Sequence, residues 1–260
     1  MISFGFIGTG NMGGALAKAA QGKAALKLHN RTMEKAEALA AALGGQAVSA
    51  EEAANADYVF LGVKPYQAEA VLGALREAWA KNPAPVLVSM LAGVTIAQLQ
   101  EFAGVNLPVI RIMPNIPVGV GQGLVLYDLS AEVTSAQEAA FLDGLSGAGR
   151  FSRLEEKLMD AGSAVSGCGP AFAAMFAEAL ADGGVACGLP RAKATEYALQ
   201  MLLGSAAYLL ETGLHPGQLK DAVCSPGGTT IQGVRTLENG EFRAAAMNAV
   251  IAAYEKTVKK

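Results

Sequence analysis

At 260 residues the chain is long enough to bury a complete core, either as one large domain or as two modest ones. Apolar residues make up 52% of it, much of that alanine, and the longest apolar runs are broken by charges such as Glu178 and Asp182, short of the roughly 18 residues that a membrane helix needs. Formal net charge is −3, with 20 basic and 23 acidic residues spread evenly, which excludes the clustered Lys and Arg of a nucleic-acid surface.

The chain opens on apolar residues at 2–7 with no basic stretch ahead of them, so no signal peptide is expected. Runs at 2–7, 26–29, 58–63, 86–90, 109–112 and 124–127 read as strands, and helical patterns lie between them. That alternation predicts an α/β fold with an N-terminal, doubly wound, mostly parallel sheet covered by helices. Helix starts are marked. Thr32 can cap a helix with Glu34 in its first turn and Gly44-Gly45 at its end, while Ser49 with Glu52, and Thr95 with Gln98, have capping-box spacing. Past about Lys157 the strand signal stops. Ala, Leu and Met then recur with helical periodicity, punctuated by Gly169-Pro170 and Gly188-Leu189-Pro190. The expected division is a dinucleotide-binding domain over 1–157 and an all-helical domain over 158–260. The helix pattern at 194–210 is apolar on more than one face, more than a small helical domain covers alone, which predicts a homodimer built on this region. Cys168, Cys187 and Cys224 are odd in number and far apart, which argues against a disulfide framework or thiol metal site and suits a reducing, cytoplasmic setting.

Gly8-Thr9-Gly10-Asn11-Met12-Gly13 follows the first strand and opens a helix. In that context the first glycine permits a tight turn, the second admits a pyrophosphate to the backbone, and the third lets helix and strand pack closely. The alternative is a glycine-rich turn that holds no ligand. An NAD site usually places a carboxylate at the end of the second strand to take the ribose hydroxyl. Here that position reads His29-Asn30-Arg31-Thr32. A guanidinium there suits a 2′-phosphate, so NADPH is the expected cofactor, with NADH weaker; a solvated surface arginine is the other reading. Val63-Lys64-Pro65 and Ala92-Gly93 follow two further strands, where a parallel sheet lines its ligands, although Lys64 also reads as an ordinary loop lysine.

The most unusual stretch is Ser225-Pro226-Gly227-Gly228-Thr229-Thr230, leading into a helical pattern expected to begin near Ile231. Such a turn offers backbone amides and hydroxyls at a helix N-terminus, a setting for a carboxylate, or else a plain N-cap after a flexible turn.

Taken with Val63-Lys64-Pro65, Arg111-Ile112-Met113-Pro114-Asn115 and Ser166-Gly167-Cys168-Gly169-Pro170-Ala171-Phe172, these segments resemble the pyrroline-5-carboxylate reductase family across essentially the whole chain. The 225–230 segment is the specific one; the glycine-rich start is shared with many reductases. The resemblance implies a Rossmann domain joined to a helical dimerisation domain. It also implies reduction of 1-pyrroline-5-carboxylate to proline by NADPH, in a site where cofactor faces the signature turn, that of the partner subunit included. In it Thr230 would hydrogen-bond the ring nitrogen, the amides of Gly228 and Thr229 would hold the carboxylate, and Ser225 and Gly227 would bind the substrate beside them. Two departures stand out: Cys168 where the family usually has Ser, and Phe172 where it often has Tyr.

No metal site is expected. His29 and His215 form no cluster and no Ser-His-Asp arrangement. A protonated imine is already electrophilic, which suits such sparse chemistry. Competing readings are a 3-hydroxyacid dehydrogenase-like enzyme, another imine reductase, or a non-catalytic NADPH-binding module. The first needs a helical lysine after its second Gly-x-Gly turn, and no Lys or Arg occurs between Gly169 and Arg191.

Overall fold

A computed structural model of the protein describes residues 1–81 and 84–259. They form two compact units, one within residues 1–167 together with 254–259 and one of residues 168–253. In the first, β1 (Ser3–Ile7), α1 (Asn11–Ala19), β2 (Ala25–His29), α2 (Met33–Leu43), β3 (Gln46–Ala47), α3 (Ala50–Ala54), β4 (Tyr58–Leu61), α4 (Ala68–Lys81), β5 (Val86–Ser89), α5 (Ile96–Ala103) and β6 (Val109–Met113) alternate as a doubly wound domain does. β7 (Gly123–Leu129), α6 (Ser135–Gly144), β8 (Gly149–Arg153) and α7 (Met159–Ser166) complete it. The strands run β3-β2-β1-β4-β5-β6-β7-β8 in one sheet. The β6–β7 pair is antiparallel and the others are parallel.

Both faces of this sheet are covered, so its central strands carry near-continuous apolar runs. All four residues of β4 are buried. One face packs Phe4, Phe6, Phe60, Val88 and Ile112 with Leu16 and Phe141; Phe6 and Phe60 stack with ring centroids 4.4 Å apart. The other face packs Ile7, Val59, Leu61, Leu87 and Val109 with Leu72, Trp79 and Leu99. The capping boxes expected at Ser49–Glu52 and Thr95–Gln98 are formed. Thr32 takes the N-cap position of α2 without a side-chain bond, and Gly44 ends that helix in the left-handed conformation at φ 72°.

Several expectations need correction. The runs at 58–63 and 86–90 stop pairing at Leu61 and Ser89, because the chain turns out of the sheet there into loops. Two strands, β3 and β8, carry no apolar run; β3 is two residues long, and β8 has the mixed sequence GRFSR. The helix after the signature turn begins at Thr229, two residues before the expected point. The helical stretch Glu156–Ala186 also reaches the length and mean hydropathy (1.3) of a membrane-crossing segment. Counting uninterrupted apolar residues missed it, since Ala, Val, Met, Phe and Leu keep the average high although Gly, Ser and charges interrupt the run.

The second unit is helical: α8 (Gly169–Ala186), α9 (Arg191–Thr212), α10 (Pro216–Val223), α11 (Thr229–Asn239) and most of α12 (Phe242–Val258). α8 and α9 pack through small residues. Ala177, Ala181, Ala194 and Ala198 are buried, and a methyl on Gly184 would lie 3.2 Å from the Ala194 Cβ. Phe176 meets Phe242 at 5.3 Å between ring centroids, and Arg191 pairs with Asp182 at 2.6 Å.

Candidate functional site

β1, β4, β5 and β6 are parallel neighbours, so the loops that follow them leave the sheet at one edge. Ile7, Leu61, Ser89 and Arg111 lie side by side in the last paired row across it. Gly8 directly follows β1, and its amide donates to the His29 carbonyl at 2.9 Å. Gly8 has φ +100°, and a Cβ there would sit 2.5 Å from the Gly62 carbonyl oxygen; one on Gly13 would sit 2.3 Å from the Gly8 carbonyl oxygen. These backbones touch because no side chain separates them. Gly10, by contrast, has no atom within 4 Å of its would-be Cβ. It is also the N-cap of α1 and supplies no side-chain bond to that helix. The first-turn amides therefore lack intrahelical acceptors and carry the positive end of the helix dipole over open space. That space and those donors fit a pyrophosphate.

Asn30 ties the glycine turn to the end of β2. Its Oδ1 accepts from the Thr9 amide at 3.3 Å and its Nδ2 donates to the Thr32 carbonyl at 3.1 Å. The Thr9 hydroxyl is buried without a partner. Arg31 is exposed, so its guanidinium is available at the strand end. Lys64 is also exposed, and its amide donates to Gln67 Oε1 at 3.1 Å, fixing the turn at Pro65. Ala92 and Gly93 occupy the turn beyond β5, with Gly93 at φ +70°. Gly8, Gly10, Asn11, Met12, Gly13, Asn30, Arg31, Thr32, Val63, Lys64, Pro65, Ala92 and Gly93 all belong to loops or helix starts that follow β1, β2, β4 and β5.

The signature turn belongs to the second unit. Lys220, just ahead of it in α10, is held above the ordinary lysine range by its hydrogen bond to the Asp221 carboxylate and the negative charge there. Gly227 adopts φ +70°, and the Gly228 amide donates to the Ser225 carbonyl at 3.0 Å, closing the turn. Gly228 is the N-cap of α11 and gives it no side-chain bond. Ser225, Thr229 and Thr230 are exposed.

Neither histidine is poised for catalysis. His29 Nδ1 lies 3.1 Å from the Val48 carbonyl, and His215 Nδ1 accepts from the Gly217 amide at 3.1 Å as the N-cap of α10. Among the described residues no His, Cys, Asp and Glu group could hold a metal ion. Cys168 is exposed and Phe172 half-buried.

The sequence reading missed what Arg111 and Asn115 do. Asn115 donates through Nδ2 to the Ser166 carbonyl at 3.0 Å and accepts the Leu124 amide at 2.9 Å, fixing the last residue of α7. Arg111 is buried and ion-paired to Glu156 at 3.0 Å and Asp160 at 3.6 Å. Both stood in a recognised motif, but their partners lie too far along the chain for spacing to reveal them.

A glycine cradle at the carboxyl edge of a parallel sheet, with a cationic strand end beside it, defines a Rossmann-type oxidoreductase that uses a nicotinamide dinucleotide. Residues 156–260 match the family described as pyrroline-5-carboxylate reductase dimerisation, and residues 3–93 match that of coenzyme F420-dependent NADP oxidoreductases. The pyrroline-5-carboxylate reductase of Escherichia coli strain K12 is 40% identical over 262 residues, 98% of this chain and 97% of that one. The chain belongs to the pyrroline-5-carboxylate reductase family. The Arabidopsis thaliana protein of that name is 39% identical over 97% of this chain and 93% of its own. Among solved structures, the Streptococcus pyogenes 1-pyrroline-5-carboxylate reductase superposes with TM-score 0.88 at 33% identity, covering 100% of this chain and 99% of that one. The Plasmodium falciparum pyrroline carboxylate reductase, solved with NADP bound, gives 0.86 at 32% identity, covering 98% and 97%.

Proposed function

We propose that this chain reduces 1-pyrroline-5-carboxylate to L-proline with NADPH, the last step of proline biosynthesis. The observation that carries the reading is the exposed, uncapped start of α11 at Gly228-Thr229-Thr230, in a chain whose first unit holds a dinucleotide cradle. NADPH, when bound, supplies the hydride. The amides at 11–13 take its pyrophosphate, Asn30, Arg31 and Thr32 its 2′-phosphate, and Val63, Lys64, Pro65, Ala92 and Gly93 its nicotinamide-ribose side.

The substrate carries a carboxylate beside a ring imine. Its carboxylate suits the amides that begin α11 and the Thr229 hydroxyl, while Ser225 and Gly227 set the turn. The Gly228 amide is already engaged by Ser225, so the free donors are those of Thr229 and Thr230. Thr230 offers its hydroxyl to the ring nitrogen and is the residue assigned to catalysis. A protonated imine needs no strong protein acid, only orientation and a matched polar contact.

Residues 158–260 act as the dimerisation and substrate region of a cytoplasmic homodimer. Large apolar side chains stand exposed along its helices, and a second copy is the cover that fits them. Lipid fits less well over Glu156–Ala186, since Glu178 and the Asp182–Arg191 ion pair fall along or beside its last helix. The test is NADPH oxidation followed by absorbance with 1-pyrroline-5-carboxylate, then NADP reduction with 3-hydroxyisobutyrate. Turnover with the imine alone is expected, and no turnover with it removes the reading. Arg31→Ala should raise KM for NADPH by about tenfold while leaving KM for NADH within roughly twofold; equal effects on both would refute the 2′-phosphate assignment.

A further inference from the structure

Arg111 is the one charged side chain buried in the core of the described residues, at 3% exposure. It lies at the end of the row Ile7, Leu61, Ser89, Arg111, just before the loops that hold the dinucleotide. Its Nη1 donates to Glu156 Oε1 at 3.0 Å. The same oxygen accepts the Ile96 amide at 2.7 Å. Glu156 is fixed in turn by its own amide, which donates to Asp128 Oδ2 on β7 at 2.7 Å. Asp160 stands 3.6 Å from Arg111 Nη2, so the guanidinium is neutralised without freeing Glu156.

Ile96 is the first residue of α5, and the turn with Ala92 and Gly93 runs directly into it. That helix start is held twice. Thr95 and Gln98 cap it from within, with Thr95 N to Gln98 Oε1 at 2.9 Å and Gln98 N to Thr95 Oγ1 at 3.2 Å. Glu156 caps it from outside, placing a carboxylate at the positive end of the helix dipole. That box serves the amides of Thr95 and Gln98 and leaves the Ile96 amide without an intrahelical acceptor, and it is this amide that the Glu156 carboxylate takes. The added bond from a distant, arginine-anchored carboxylate fixes where the loop's end sits relative to β6 and β7.

We propose that Glu156, held by Arg111, is a positioning residue for the dinucleotide: it sets the loop carrying Ala92 and Gly93 through the Ile96 amide. The inference rests on the reading that those two residues line the cofactor site. Glu156→Ala removes the acceptor. Glu156→Gln keeps a single side-chain oxygen that can accept from both Ile96 and Arg111. Ile96→Pro deletes the donor at a helix position where proline is at home, after a residue already extended at ψ 162°. Thr134→Ala breaks a different capping box, at α6, as a control for lost stability alone.

Each full-length variant is titrated with NADP by calorimetry, melted without ligand, and assayed for kcat and both KM values. Glu156→Ala and Ile96→Pro should each weaken NADP binding and raise KM for NADPH about tenfold, with kcat and the imine KM within roughly twofold. Glu156→Gln should stay within about threefold of the parent, and Thr134→Ala should lower Tm without changing NADP affinity. The proposal is overturned if Ile96→Pro binds NADP like the parent, or if Thr134→Ala weakens binding as much. A parent chain that binds no NADP removes the dinucleotide reading and this inference together, whereas parental binding unmoved by Ile96→Pro removes the inference alone.

Discussion

In residues 1–167 the sheet hides Phe4, Phe6, Phe60 and Phe141 completely, whereas the buried apolar side chains of residues 168–253 are all alanines. Larger side chains in the helical unit stay outside: Met175, Leu199, Leu203, Leu210 and Met247 are each more than half exposed, Leu210 by 72%. A covered sheet closes its own core, because helices from the same chain lie on both faces. Helices joined through alanine contacts come close together but enclose little volume, and their long side chains point away from that seam. One unit closes its core by internal packing; the other leaves its larger apolar side chains exposed.

That contrast is open to test at four points, the first three in order of size. Phe60→Ala should cost about 3–5 kcal/mol of stability in urea unfolding, the usual cost of emptying a packed aromatic site. A loss below roughly 1 kcal/mol would mean the sheet core is looser than its burial says. Leu203→Glu, on the same stripe of α9 as Leu199 and Leu210, should weaken dimerisation about a hundredfold, or ~2.8 kcal/mol, in sedimentation equilibrium. An unchanged association constant would break the comparison, since the exposed stripe would then need no cover. Thr230→Ala should lower kcat about tenfold, ~1.4 kcal/mol, with the thermal melt unmoved because the side chain is exposed. The fourth test is a pH effect in the sheet unit. Burial, with a hydrogen bond donated to Glu138, pushes the Tyr127 phenol up to about 12. An unfolded tyrosine loses its proton near roughly 10, so the native state holds a proton that the unfolded chain has released. Stability should therefore fall as pH rises from about 10 through about 12, and Tyr127→Phe should flatten that fall in alkaline unfolding curves.

The parts of the fold that the sequence announces are those ruled by local rules. The central strands are legible because both faces of the sheet are covered, which leaves YVFL and VLVS without polar breaks. Ser49–Glu52 and Thr95–Gln98 are legible because a capping box is a four-residue device, and Thr134–Gln137 forms the same device at the same spacing. β8 was not legible, since an outer strand with Arg150 and Arg153 has no reason to look apolar. The antiparallel direction of β7 is a tertiary choice that no periodicity records. At the candidate site, the glycines and the strand-end arginine declare themselves by residue type. Glu156 does not: its role depends on meeting Arg111, Ile96 and Asp128, and only folding brings those together.

Gly10 has a consequence for engineering. Its backbone, at φ −68° and ψ −170°, is one that alanine adopts freely, and nothing crowds its missing side chain. Gly8 and Gly13 enjoy neither liberty together, since a methyl on either would strike main-chain oxygen. A single carbon at Gly10 thus separates two requirements that usually fail as one, leaving the architecture whole while filling the open space over the first-turn amides. The result would be a folded chain with its dinucleotide binding impaired, a separation that a thermal melt and an NADP titration read independently.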